Sequence, residues 1–350
     1  MCHGSTLLGG LYLMMMTIIL FLLSAIFIYL SCEYFVNGIE WLGKRLNLGA
    51  TAVGSVLAAF GTALPECAVT FFAVVLGSSP EAKDIGVGAA MGGPLVLATL
   101  AYAIVGIVHY LNKRKNNPKD YILKANIREL TKDQFAFLAI FIVKISLGLI
   151  AFSFKPWMGI LFLLAYAVYV YREIKKSNIE DSESAVEELE PLKFQPKKET
   201  PHTFMIILQV VISLAVIATT THFFIIQLED LSILLGIPAY LVALLLSPVA
   251  TELPEIMNAL IWVKQGKERL ALANISGSMM IQATIPSALG IFFTPWLFDT
   301  PLLISGVVTV FAILYLWLIF KFKQPDSRLL IIASSFYFIF IALLLAYFNM

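Results

Sequence analysis

The chain has 350 residues, of which 59% are hydrophobic and only 13% charged, with a mean hydropathy of +0.87. One aqueous core cannot hide that much apolar surface, so the composition excludes a soluble protein and points to a chain solvated by a bilayer, in which helices satisfy their own backbone. A formal net charge of +1 argues against nucleic-acid partners, and Cys2, Cys32 and Cys67 show neither ligand spacing nor a disulfide pattern.

Stretches poor in charge, measured against the roughly 20 residues a helix needs to cross hydrocarbon, give ten spans. The first covers residues 5–32 and continues to 41, the second 46–77 with Glu66 inside it, and the third 85–111. Residues 134–154, carrying Lys144, and a short 156–171 follow; after a polar stretch come 203–228, 231–263 with Glu252 and Glu255, 270–298, 300–320 and 329–350. The first span is too long for a signal peptide and has no basic segment before it. Lys44 and Arg45, the basic residues from Lys113 to Lys132, the trio Lys264, Lys267 and Arg269, and the trio Lys321, Lys323 and Arg328 all fall in loops on one side. The positive-inside rule makes that side cytoplasmic and leaves both termini outside, most simply in a plasma (inner) membrane. The acidic then basic stretch 172–202 reads as a solvated cytoplasmic linker, without the carboxylate spacing of a calcium loop, between halves 1–171 and 203–350.

Self-comparison finds a repeat. Gly61-Thr62-Ala63-Leu64-Pro65-Glu66 aligns with Ala250-Thr251-Glu252-Leu253-Pro254-Glu255, and Gly92-Gly93 with Gly277-Ser278. A repeated half of five spans enters the membrane with the opposite orientation, so the repeat is inverted and its site is expected near the midplane. A charged glutamate inside a span costs about 2.5–3.5 kcal/mol unless it finds a partner or a cavity, which marks Glu66 and Glu255. Each preceding proline removes a helical donor and frees the carbonyl four residues back, at Gly61 and Ala250, while Thr62 and Thr251 add hydroxyls to the same turns. Carboxylates, carbonyls and hydroxyls without thiolate or imidazole form a hard-oxygen set suited to Ca²⁺, Na⁺ or Mg²⁺. His109 and His222 lie at span ends and read as interfacial. A proline kink with a protonated packing glutamate is the bland alternative; its recurrence at both repeat positions argues against it. Gly86, Gly88, Gly92 and Gly93 let the third span approach its neighbours closely.

The two Pro-Glu blocks, each followed by a small-residue helix, resemble the alpha repeats of the calcium/cation antiporter superfamily, and the resemblance covers the whole chain. It implies an all-α membrane protein of ten helices in two inverted five-helix repeats, with the ion site between spans 2, 3, 7 and 8. It further implies exchange of Ca²⁺ against Na⁺ by alternating access, with no enzymatic activity and no bound cofactor. Carried over to this chain, Glu66 and Glu255 supply carboxylates and Thr62 and Thr251 further oxygens. The block 61–66 is closer to the sodium/calcium exchanger branch than to the proton-coupled one. The serine and the distal polar residue usual in the first repeat are replaced by Gly93 and Leu97, whereas the second keeps Ser278 and offers Gln282, with Glu252 where serine is usual. Loss of those oxygens keeps H⁺ coupling open as the alternative. Glu252 reads as a ligand, as a proton carrier beside Glu255, or as a partner of Lys144, which could otherwise snorkel to an interface. Glu33 and Glu40 read as interfacial or cavity-lining. A passive channel is a second class that the inverted repeat disfavours, and no hydrolase motif is present.

Overall fold

A computed structural model of the chain describes residues 3–45, 63–116, 121–180 and 190–348. In chain order the helices are α1 (His3–Arg45), α2 (Ala63–Leu76), α3 (Pro80–Val96), α4 (Tyr102–Asn116), α5 (Ile127–Leu149), α6 (Gly159–Glu180) and α7 (Thr203–Leu235). Then follow α8 (Ala239–Thr251), α9 (Leu253–Lys264), α10 (Glu268–Phe293), α11 (Thr300–Phe322), α12 (Ser327–Ile332) and α13 (Ser334–Phe348). A π-helical turn, Leu97–Ala101, joins α3 to α4, and another, Phe72–Leu76, ends α2. Among the described residues seven helical spans are long and apolar enough to cross a bilayer. α5 and α6, with 23 and 22 residues, lie where the fourth and fifth spans are expected but are not among those seven.

Local sequence sets the ends. Ser79 caps α3 by accepting from Ala82 N at 2.9 Å, with Pro80 in the first turn where its missing N–H costs nothing. α7 stops at Gly236, whose φ of 65° favours glycine. The seventh expected span is not continuous: α8 ends at Thr251 and α9 begins at Leu253, with Glu252 at the junction. Pro254 has no N–H with which to continue the ladder, and sits in the first turn of α9, where that lack is tolerated.

Two helices form the centre. Gly88 and Gly92 of α3 lie so close to α8 that a Cβ on them would stand 2.0 Å from Tyr240 O and 2.5 Å from Leu244 O. Reciprocally, α10 meets α2 in a cluster of Ala63, Cys67 and Ile281. Each small-residue helix thus packs on the proline-containing helix of the other half. α1 pairs with α7 outside this centre, where Phe21 and Phe224 stack with ring centroids 4.8 Å apart. Their outer faces expose Leu13, Phe27, Ile207 and Val211, apolar surface that suits lipid rather than water.

Two expectations change. The segment 172–202 is not simply a solvated linker: α6 runs on to Glu180, and residues 190–202 are strapped onto α1 and α7. Trp41 Nε1 donates to Glu190 O at 2.9 Å, Phe194 N donates to Gln209 Oε1 at 2.8 Å, and Leu192 is buried with Trp41 and Ile206. Polar side chains within otherwise apolar helices claim the strap's backbone groups, because in lipid they have no other partners. Glu33 is tied to this strap, accepting from Lys193 Nζ at 2.9 Å and from the Tyr29 hydroxyl, and Glu40 is half-buried. His109 is not exposed at a span end but buried, 1% exposed with Nε2 3.7 Å from Glu268 Oε1, whereas His222 is exposed.

Because Gly88 lies against backbone, which cannot rotate away, Gly88→Ala is expected to cost about 1–3 kcal/mol through overpacking. Thermal melting of the detergent-purified protein measures this, and a variant that melts with the wild type would remove the crossing as a constraint.

Candidate cation site

The break between α8 and α9 places Thr251, Glu252 and Glu255 around one irregular turn, against α2 and α10. Thr251 Oγ1 donates to Glu66 Oε2 at 2.6 Å, so the two repeats touch through the side chains of their matching blocks. The same hydroxyl lies 3.1 Å from Ser247 O and 3.3 Å from Glu252 Oε1. Gln282 Nε2 donates to both oxygens of Glu252 at 2.8 Å, and Ser278 Oγ donates to Glu255 Oε1 at 2.9 Å. Glu66 is 1% exposed, and Glu252 and Glu255 are fully buried.

Most of the expected site residues therefore converge: Glu66, Thr251, Glu252, Glu255, Ser278 and Gln282 form one cluster. Gly61 and Thr62 lie outside the described residues. Ala250 lies one residue before Thr251 at the helix break. The helix carrying Glu252 and Glu255 is interrupted, yet both acids face α10, because Ser278 and Gln282 are four residues apart and share a face. Lys144 neither snorkels nor pairs with Glu252. It is fully buried and donates to Ala90 O of α3 at 2.7 Å.

The two repeats are unequal, and the inequality is matched across the contact. In the second repeat, Glu252 on the broken helix is held by Gln282 on α10. At the equivalent places of the first repeat stand Ala63 on α2 and Leu97 just past α3, both buried and apolar. Gly93, which aligns with Ser278, faces the Glu252–Gln282 pair: a Cβ there would stand 2.6 Å from Gln282 Oε1 and 3.2 Å from Glu252 Oε1. The serine missing at Gly93 is thus replaced in space by an amide and a carboxyl from the other half.

Four buried oxygens at or beside this cluster have no hydrogen-bond partner among the described residues: Glu66 Oε1, Gln282 Oε1, Ser247 Oγ and Thr70 Oγ1. Buried polar atoms are seldom left so, because each lost bond costs about 1–3 kcal/mol. Ser247 and Thr70 were missed by motif reading; their signal was a hydroxyl four residues from Thr251 or Glu66, on the same helical face. Among the described residues no three His, Cys, Asp or Glu side chains converge as a ready ligand shell. Each carboxyl instead holds its own hydroxyl or amide donor, and those donor groups carry oxygens that can turn toward a cation.

The family model for "Sodium/calcium exchanger protein" matches residues 16–175 and 205–349. The chain belongs to that family. An uncharacterized membrane protein of Methanocaldococcus jannaschii is 23% identical over 78% of this chain and 80% of its own length. A putative antiporter CaxA of Alkalimonas amylolytica is 23% identical over 82% of this chain and 83% of its own. The crystal structure of an H⁺/Ca²⁺ exchanger, CAX, superposes on this family member with a TM-score of 0.69 at 18% identity, over 94% of this chain and 82% of that one. The sodium-calcium exchanger NCX_Mj gives 0.57 at 22% identity, over 93% and 97%. At those identities the likeness fixes the fold. The chain is thus a multi-pass membrane protein of a family of cation exchangers, which are transporters rather than enzymes.

Removing the Gln282 amide by Gln282→Leu leaves the Glu252 carboxyl buried without the amide that donates to both its oxygens, an expected loss of about 1–3 kcal/mol. Adding Glu252→Ala reproduces the apolar pair at Ala63 and Leu97 and is expected to recover part of that loss. A double-mutant cycle on melting temperature reads the coupling, and simple additivity would refute the pairing.

Proposed function

We propose that this exchanger moves Ca²⁺ against Na⁺ by alternating access, through a site between α2, α3, the α8–α9 break and α10. The carrying observation is the set of buried oxygens around Glu66, Thr251, Glu252, Glu255 and Gln282, with Glu66 Oε1 and Gln282 Oε1 lacking a hydrogen-bond partner among the described residues. Ca²⁺ takes six to eight hard oxygens at about 2.3–2.6 Å, and two carboxylates with hydroxyl and amide oxygens suit it better than nitrogen- or sulfur-seeking metals. The reciprocal packing of α3 on α8 and of α10 on α2 supports ten helices in two inverted halves, 1–171 and 203–350, working about this contact. The basic loops support a cytoplasmic strap and external termini. Relatives named as exchangers of Ca²⁺ against H⁺ and against Na⁺ agree on the divalent ion.

A second reading takes H⁺ as the counter-ion. It is favoured by Gly93 and Leu97, whose side chains supply no oxygens, and by Gln282 and Glu252 filling the space beside Gly93, where a serine hydroxyl would stand. A carboxyl that takes up a proton on one leg and releases it on the other needs no such oxygens.

In proteoliposomes, Glu66→Gln and Glu255→Gln are each expected to abolish gradient-driven ⁴⁵Ca uptake, and full activity in both would sink the proposal. A pH gradient without Na⁺ and a Na⁺ gradient at equal pH distinguish the counter-ions: uptake with the first alone supports the second reading.

A further inference from the structure

Two loops far apart in the chain are pinned together where Lys323 and Arg328 lie. Leu123 N donates to Pro325 O at 2.9 Å and Ser327 N to Tyr121 O at 2.8 Å, so residues 121–123 and 325–327 run antiparallel through an Ile122–Asp326 bridge. Beside the bridge is an open cavity of about 530 Å³, lined by Ile122, Lys323, Gln324, Asp326, Arg328 and Leu329. α12 starts at this bridge and lies so close to α4 that a Cβ on Gly106 would stand 2.6 Å from Ser327 O. The cavity is thus built on the end of the apolar span, Pro80–Asn112, that carries Gly88 and Gly92.

Its polar wall is cationic. Arg328 Nε donates to both Asp326 oxygens at 3.1 and 3.2 Å and Nη2 to Oδ2 at 2.7 Å, and the guanidinium stands 4.7 Å from the Tyr121 ring centroid. Asp326 is thereby matched by one charge and holds the fork in place, while the Arg328 side chain stays 61% exposed and its Nη1 has no acceptor among the described residues. Lys323 is exposed, with no ion pair among the described residues. One turn back along α11, Lys321 Nζ stands 4.3 Å from the Trp317 ring centroid, Trp317 lies 6.0 Å from the Phe135 ring, and Phe135 and Phe322 are 58% and 69% exposed. A tryptophan beside a snorkelling lysine marks the boundary between hydrocarbon and water, and Lys323 is one residue past Phe322. The cavity therefore opens at the level of lipid headgroups. We propose that it binds the phosphate headgroup of an anionic phospholipid in the membrane leaflet on that side. The phosphate takes charge-assisted hydrogen bonds from the free edge of Arg328 and from Lys323, and the glycerol lies against Ile122 and Leu329. Lys321, Lys323 and Arg328 against Asp326 leave this corner positive, which repels the choline of a zwitterionic lipid. A bound headgroup braces the bridge and, through it, the packing of α12 on α4.

Native mass spectrometry of the full chain in detergent, titrated with phosphatidylglycerol or phosphatidylcholine, reads binding without any transport. The wild type is expected to retain one phosphatidylglycerol in preference to phosphatidylcholine. Lys323→Gln with Arg328→Gln is expected to weaken phosphatidylglycerol by more than about tenfold, at roughly fivefold per basic group beside an anionic lipid. Lys264→Gln with Lys267→Gln removes the same charge from another basic loop and is expected to leave that affinity unchanged. Equal affinity for the two lipids, or equal weakening in the two double variants, would overturn the proposal, the second because it reduces the effect to overall charge. Should the Arg328 variant fail to fold, Lys323→Gln alone, at an exposed side chain, is expected to weaken phosphatidylglycerol about fivefold, and an unchanged affinity overturns the site. Inorganic phosphate at millimolar concentration is expected to leave the lipid in place; displacement by it overturns the lipid assignment in favour of a soluble anion.

Discussion

Three carboxyl groups buried in a membrane helix bundle set the terms for everything around them. Hydrocarbon offers them nothing, so each must be met by protein, and each is: Glu66 by Thr251, Glu252 by Gln282 and Glu255 by Ser278. Those donors come from α8 and α10, each on a helix other than that of the acid it meets, and they can reach only because the helices approach closely. The glycines of α3 allow α8 to touch its backbone, and Pro254 interrupts the helix so that Glu252 and Glu255 both face α10. Close packing and polar satisfaction are here one requirement, since loosening the crossing would leave buried acids without partners.

The two matching blocks do not share a division of labour. The second half carries the Glu252–Gln282 pair where the first carries Ala63 and Leu97, and glycine at position 93 makes room for that pair across the interface. Polarity has been concentrated on one side of the contact, and the opposite side has become small and apolar to accept it. A site built this way has directional chemistry: its oxygens come mainly from the α8–α9 break and α10, with Glu66 reaching in from α2. Lys144 of α5 reaches α3 on the depleted side, donating to Ala90 O. At the periphery, the strap of residues 190–202 fastens α1 to α7 through Asn37, Trp41 and Gln209, residues that an apolar helix would otherwise leave unpaired.

Much of this was legible in the chain. Low charge made the intramembrane acids conspicuous, and the repeat of Pro-Glu blocks tied them together as a pair; both end in one cluster with Thr251, Ser278 and Gln282. The break at Glu252 followed from Pro254, which no helix interior accommodates without loss. Less legible were Ser247 and Thr70, single hydroxyls whose position relative to the motif matters only once the helix faces are known. Lys144 was conspicuous as an intramembrane base, but two partners suggested for it by pattern, an acid or an interface, gave way to a carbonyl of α3. His109 likewise looked interfacial by its place near a span end and proved buried beside Glu268.

The sequence by itself determined that the chain lives in a membrane, that it contains a repeat, and that a few acids stand where lipid forbids them, because composition, periodicity and the cost of buried charge are local properties. Only the tertiary structure decided which donor meets which acid, why residue 93 is glycine, and where the buried ammonium of Lys144 is anchored. Those depend on distances between helices far apart in the chain, and no spacing along a single strand of sequence encodes the direction in which a side chain must reach.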